Sequence, residues 1–142
     1  MVTAAIGYLP WLDHTRPYLL EYAPRTGADF QEVKWFPEIE NYNNSNYFVL
    51  VEILRRFSEQ DYYEELLFLD ADILVLPQSP NIFEKTTTIA LADDWYLPTQ
   101  AGHYENWIRE EGSDGTGHHP ENPYFNSGVV LMTREVAQQI DF

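Results

Sequence analysis

Cysteine is absent from this 142-residue chain. Disulfides and thiolate metal sites are therefore excluded, and a reducing compartment is permitted. Lysine is nearly absent, with Lys34 and Lys85 alone. Eight Lys and Arg stand against 23 Asp and Glu, a formal net charge of −15. A surface so acidic repels phosphate backbones and anionic lipid, which argues against nucleic acid and against a membrane surface as partners. It attracts cations, and any anionic ligand must find positive charge supplied locally. No run reaches the roughly 18 apolar residues of a membrane span. No basic segment precedes "VTAAIGYL", so no signal peptide is expected and a cytoplasmic location is the expectation. There is no internal repeat and no low-complexity tract.

The chain does have apolar residues, at 44%, and aromatics, at 15%. That is a globular composition, long enough for one domain over residues 1–142 with a sizeable core. "VTAAIGYL" reads as a short buried strand from Val2 to Gly7. "TRPYLLEYAPRTG" reads as a helix capped by Thr15, with Pro17 in its first turn and Gly27 after its end. "FQEVKWF" predicts a second strand. "NYNNSNYFVLVEILRRFSEQ" predicts a helix capped by Asn44 or Ser45, with Tyr47, Leu50, Val51 and Leu54 on its apolar face. "TTTIALAD" (Thr86 to Asp93) and "YFNSGVVLMT" read as strands, and a capped helix starts near Thr133. Between them, Tyr96 to Pro123 is polar and irregular, with a short helix expected near Tyr104 to Glu111. Apolar strands alternating with amphipathic helices predict an α/β layered domain with a mostly parallel sheet.

One stretch does not fit a plain buried strand. In "LLFLDADILVL" two aspartates, Asp70 and Asp72, interrupt an apolar run. Side chains at i and i+2 of an extended backbone share a face, and at a strand end they converge outside the sheet. Two such carboxylates resist joint ionisation unless a cation lies between them. Hard oxygen donors suit Mg²⁺ or Mn²⁺, whose remaining positions go to water and substrate phosphates. In open α/β sheets, ligands lie at the carboxyl ends of strands. By spacing alone, the competing reading, in which the pair caps a turn or starts a helix, weighs as much.

The neighbouring residues tip the balance. "LFLDADILVL", then "PNIFE", then "YFNSGVVLM" resembles the nucleotide-sugar glycosyltransferases of the GT-A fold, and among them the family 8 type that includes glycogenin and the bacterial galactosyl- and glucosyltransferases. The motifs carrying the resemblance are Asp70-Ala71-Asp72, Asn81-Ile82-Phe83 and Phe125-Asn126-Ser127-Gly128, together with the initial strand. The resemblance implies a GT-A sheet flanked by helices and a metal-dependent transfer of a hexose, with retention, from a nucleoside diphosphate sugar (UDP above all). The acceptor is a hydroxyl of a sugar or protein. It further implies that Asp72 and Asp70 hold Mn²⁺ or Mg²⁺, with Asp70 also within reach of the ribose. Asn126 and Ser127 would lie beside the donor sugar, Asp93 or Asp94 would touch that sugar, and Ala5, Ile6, Gly7 and Tyr8 would line the nucleotide pocket.

The sequence also departs from that family. The helix before the D-x-D strand lacks the lysine that faces the diphosphate, and Arg55 and Arg56 lie near its far end. A later D-Q pair, a histidine metal ligand and a basic K-P-W segment do not occur before Phe142, so most of the acceptor half is missing and a chain that is part of a longer protein is one expectation. His118 and His119, near Asp114 and Glu121, read as a surface loop, and Trp95 and Trp107 as packing aromatics. Two other readings stand beside the enzyme: a nucleotide-sugar-binding module without turnover, and an acidic interaction domain without a ligand.

Overall fold

In the computed structural model, residues 1–6, 9–34, 48–85, 88–93 and 125–142 are described. Side chains 92, 93, 125 and 126 fall outside that description. The elements run β1 (Val2–Ala4), α1 (Leu12–Thr26), β2 (Gln31–Val33), α2 (Val49–Glu59), β3 (Glu65–Leu69), a 3-10 turn (Ile82–Glu84), β4 (Ile89–Asp93), β5 (Phe125–Thr133) and α3 (Arg134–Ala137). The strands form one sheet in the order β2-β1-β3-β5-β4. β1 is parallel to both β2 and β3, whereas β5 is antiparallel to β3. The chain divides into two compact units, residues 1–90 with 128–142, and residues 91–127.

β3 sits at the centre of the first unit. Leu66, Leu67, Phe68 and Leu69 are all buried. A continuous apolar run without alternation is what a strand covered on both faces requires. On one face Leu67 and Leu69 join Leu131 of β5 and the α1 residues Leu12, Leu19, Tyr22 and Ala23. By alternation Leu66, Phe68, Val130 and Met132 turn to the other face, where Ile53 and Phe57 of α2 lie near Leu66. β1 and β2 are shorter than the apolar patterns suggested, and β4 begins at Ile89 rather than Thr86.

α1 starts three residues before the expected cap. Trp11 occupies the capping position without a side-chain hydrogen bond, and Thr15 lies inside the helix on its buried stripe with Leu12, Leu19, Tyr22 and Ala23. Its end is as read: Gly27 adopts φ 74°, and Ala28 N–H donates to Ala23 O at 2.9 Å. Only glycine takes that left-handed conformation without steric cost.

α2 buries a different stripe from the expected one. Val49, Glu52, Ile53, Leu54 and Phe57 are buried, while Val51 is exposed and Leu50 is half-buried. Five consecutive apolar residues, Tyr47 to Val51, leave the helical register open. The proposed caps Asn44 and Ser45, and Tyr47, lie outside the described residues, as does the expected helix near Tyr104 to Glu111. At the last helix the reading holds, with the Thr133 hydroxyl accepting from Val136 N–H.

Candidate functional site

β3 stops at Leu69, and the chain turns there rather than running on extended. Ile73 N–H donates to Asp70 O at 3.0 Å, which closes a β-turn over Asp70-Ala71-Asp72-Ile73. The two carboxylates therefore occupy the first and third corners of a turn, not alternate positions of a strand. The turn reading of the pair is met, and that turn stands at the carboxyl end of a buried strand. The following "ILVL" forms no strand. Ile73 and Val75 pack against the core, and Leu74 and Leu76 are exposed.

Three separate elements hold this turn. The Thr3 hydroxyl, fully buried in β1, donates to Leu69 O at 2.7 Å. Asp70 N–H donates to Gly128 O of β5 at 2.8 Å. The Thr15 hydroxyl of α1 donates to Ala71 O at 2.6 Å. Buried carbonyls are thereby satisfied by short bonds from residues distant in sequence, which presets the backbone before any ligand arrives. Neither Thr3 nor Thr15 stood out as a positioning residue in the sequence; a threonine inside an apolar strand was the signal available for Thr3. Thr15→Val keeps the shape and leaves Ala71 O without its donor. Chemical denaturation is expected to show a loss of about 1–2 kcal/mol.

Antiparallel pairing explains how two motifs far apart in sequence meet. Leu69 pairs with Val129, so the middle of β5 lies beside the end of β3 and brings Gly128 against Asp70. Ser127, one residue earlier, is exposed. On the other side of β3, Thr3 pairs with Leu69 in parallel, so Ala5 and Ile6 leave β1 at the same carboxyl edge as the turn. Ala5 N–H donates to Val33 O at 2.8 Å. The backbones of Asp93 and Asn126 belong to β4 and β5, but their side chains lie outside the described residues. So do Gly7, Tyr8 and Asp94, and likewise the loop of Asp114, His118, His119 and Glu121. The "NIF" motif forms the 3-10 turn, with Asn81 Oδ1 accepting from Phe83 N–H at 3.1 Å.

Asp70 is half-buried and Asp72 exposed. Burial, and then the nearby charge of Asp72, push the Asp70 carboxyl above its ordinary value. Neither carboxylate pairs with a cationic side chain among the described residues. Two uncompensated hard-oxygen donors on a fixed turn match the donor set of a divalent cation whose other positions go to water and phosphate. Among the described residues no third histidine or carboxylate joins them. Arg55 and Arg56, at the far end of that helix from the missing lysine, bind Glu52: Arg55 Nε and Nη2 donate to it at 2.9 and 2.7 Å, and Arg56 Nε at 2.7 Å.

No protein-family model matches this chain, and no curated protein does. Solved structures do. One is the galactosyltransferase LgtC in complex with donor and acceptor sugar analogues, with a TM-score of 0.59 and 18% identity over 99% of this chain and 59% of that one. Another is a glycosyltransferase involved in glycosylation of the major capsid of PBCV-1, with a TM-score of 0.50 and 15% identity over 96% of this chain and 61% of that one. The chain spans about three-fifths of the length of each.

Proposed function

We propose that the chain, whose fold is that of GT-A glycosyltransferases with a mostly parallel α/β sheet flanked by helices, is the donor-binding part of a metal-dependent glycosyltransferase. It would transfer a hexose, with retention, from a nucleoside diphosphate sugar to an acceptor hydroxyl of a sugar or protein. The observation that carries this reading is the Asp70–Asp72 turn: two carboxylates without a cationic partner among the described residues, clamped by β1, α1 and β5 at the carboxyl edge of the sheet.

Asp70 and Asp72 would hold Mn²⁺ or Mg²⁺ there. When bound, such an ion stabilises the charge that develops on the departing diphosphate, and it supplies the positive charge that a −15 protein otherwise withholds. The clamped backbone keeps both carboxylates in place without reorganisation during the reaction. By the family resemblance, Ala5, Ile6, Gly7 and Tyr8 would line the base and ribose. Ser127 and Asn126 would orient the sugar, and a carboxylate of Asp93 or Asp94 would face the positive charge that grows at the anomeric carbon.

Calorimetric titration of the wild-type protein with UDP and GDP, in Mn²⁺ and in EDTA, tests the donor site. Binding in Mn²⁺ that EDTA abolishes is expected. Failure of both nucleotides in Mn²⁺ would remove the proposal. A radiolabelled donor-sugar screen then separates roles: transfer or hydrolysis supports the enzyme, and binding without either assigns the chain a binding role.

A further inference from the structure

A cavity of about 520 Å³ opens at the opposite end of β3 from the aspartates. Its floor is apolar, from Val2, Ile53, Phe57 and Leu66, and Tyr62 and Tyr63 border it. Leu66 stands four residues before Asp70, about 13 Å along an extended strand. The cavity shares no residue with the donor site, and its volume falls in the range of small-molecule pockets.

The loop that carries the two tyrosines is held in place before any ligand arrives. The Gln60 amide spends its whole hydrogen-bonding capacity on their loop. Its Nε2 donates to Phe57 O and Tyr63 O at 3.1 and 3.0 Å, and its Oε1 accepts from Tyr62 N–H and Tyr63 N–H at 2.7 and 2.9 Å. The Tyr63 hydroxyl is tied to Asp29 Oδ2 at 3.0 Å. Yet Tyr62 is 86% exposed and Tyr63 51%. Chain entropy has been spent to fix a loop that presents two aromatic side chains to water. Beside them, Glu65 and Gln31 line the cavity, and their side chains make no hydrogen bond among the described residues.

Aromatic faces next to free planar hydrogen-bonding groups match one ligand chemistry best. The C–H face of a pyranose stacks on an aromatic ring, and its hydroxyls take up carboxylate and amide groups. A purely apolar ligand would leave the Glu65 carboxylate desolvated and unpaired. An anionic ligand would meet the net charge of −15 and the lining residues Asp29, Glu32 and Glu65, while the lining cations Lys34 and Arg56 already pair with Glu32 and Glu52. We propose that this cavity binds a neutral sugar, with Tyr62 as the stacking platform and Glu65 and Gln31 as hydroxyl partners. This assignment stands independently of the donor-site reading.

The test is a backbone-amide NMR titration with maltose, cellobiose and lactose in turn. Saturable shifts at Gln31, Tyr62, Tyr63 and Glu65 are expected with at least one sugar. Tyr62→Ala, at a solvent-exposed position, is expected to weaken that binding about tenfold while UDP–Mn²⁺ titration gives the wild-type result; Glu65→Gln provides a second variant. No saturable shift with any of the three sugars would overturn the proposal. So would shifts that centre on Asp70 to Asp72, or that persist unchanged in both variants.

Discussion

Asp72→Asn is expected to lower the Mn²⁺-dependent affinity for a nucleoside diphosphate by at least about 100-fold, because one of the two charged oxygen donors among the described residues is lost. Asp72 is exposed and outside the core, so the variant should unfold at the same denaturant concentration as the wild type. Asp70→Asn sharpens the comparison. Burial and the Asp72 charge raise the Asp70 carboxyl in the folded protein. Ionising it therefore costs folding stability, a penalty that sets in as pH rises past the ordinary value of 3.8 and is complete above the raised folded value. In the absence of metal, Asp70→Asn should stabilise the protein at neutral pH by about 1 kcal/mol, and this gain should vanish in acid. In Mn²⁺ the ordering should invert, since the wild type gains binding energy that the variant cannot. Calorimetric affinities and urea midpoints with and without Mn²⁺ provide both readouts. A stabilising Asp70→Asn whose advantage persists in saturating Mn²⁺ would remove the metal from the argument and leave a repulsive turn.

The second large effect lies away from this turn, at Glu52. Its side chain is 1% exposed, and its two oxygens are taken by Arg55 and Arg56, whose side chains are 32% and 45% exposed. Arg55 also pairs with Glu59. A buried carboxylate bridged by two guanidinium groups holds α2 together at the point where its buried stripe passes over the sheet. Glu52→Ala should destabilise the fold by about 2 kcal/mol, because a buried side chain is removed from α2 together with the charged hydrogen bonds it accepts from Arg55 and Arg56. Glu52→Leu should cost less, because it fills the space. The hydrogen bond from Arg55, opposed by burial and aided by Arg56, holds the Glu52 carboxyl below its ordinary value of 4.5. The pair's contribution is therefore fully present above that pH and is lost as pH falls through the depressed folded value. The difference in denaturation midpoint between wild type and Glu52→Gln should be flat from neutral pH down to about 5 and shrink below 4.5. A difference that stays constant into strong acid would show that packing, not charge, is what Glu52 contributes.

These two carboxylate sites mark the line between what a linear reading reaches and what it does not. Composition alone sufficed for the class of molecule: no cysteine, a −15 charge and a 44% apolar content leave an acidic globular domain. Local pattern sufficed wherever the physics is local. The apolar run of Leu66 to Leu69 could only be a strand covered on both faces, Gly27 could end a helix because it has no side chain, and Thr133 could begin one through its own hydroxyl. The aspartate pair stood out because burying charge is costly wherever it happens.

Tertiary structure decided the rest. Which stripe of α2 is buried could not be read from five consecutive apolar residues, and Glu52 became a core position only because two arginines one helical turn away reach back to it. Thr15 reads as a helix cap until the Ala71 carbonyl is placed beside it. The meeting of Gly128 with Asp70 depends on β5 running antiparallel to β3, a choice of strand direction that no residue in either motif encodes. Local geometry is set by each residue's own sterics and hydrogen-bonding groups. Register, strand direction and the partner of a buried polar group are set by the whole core at once, because only the assembled layers determine which groups lose water and which others are there to replace it.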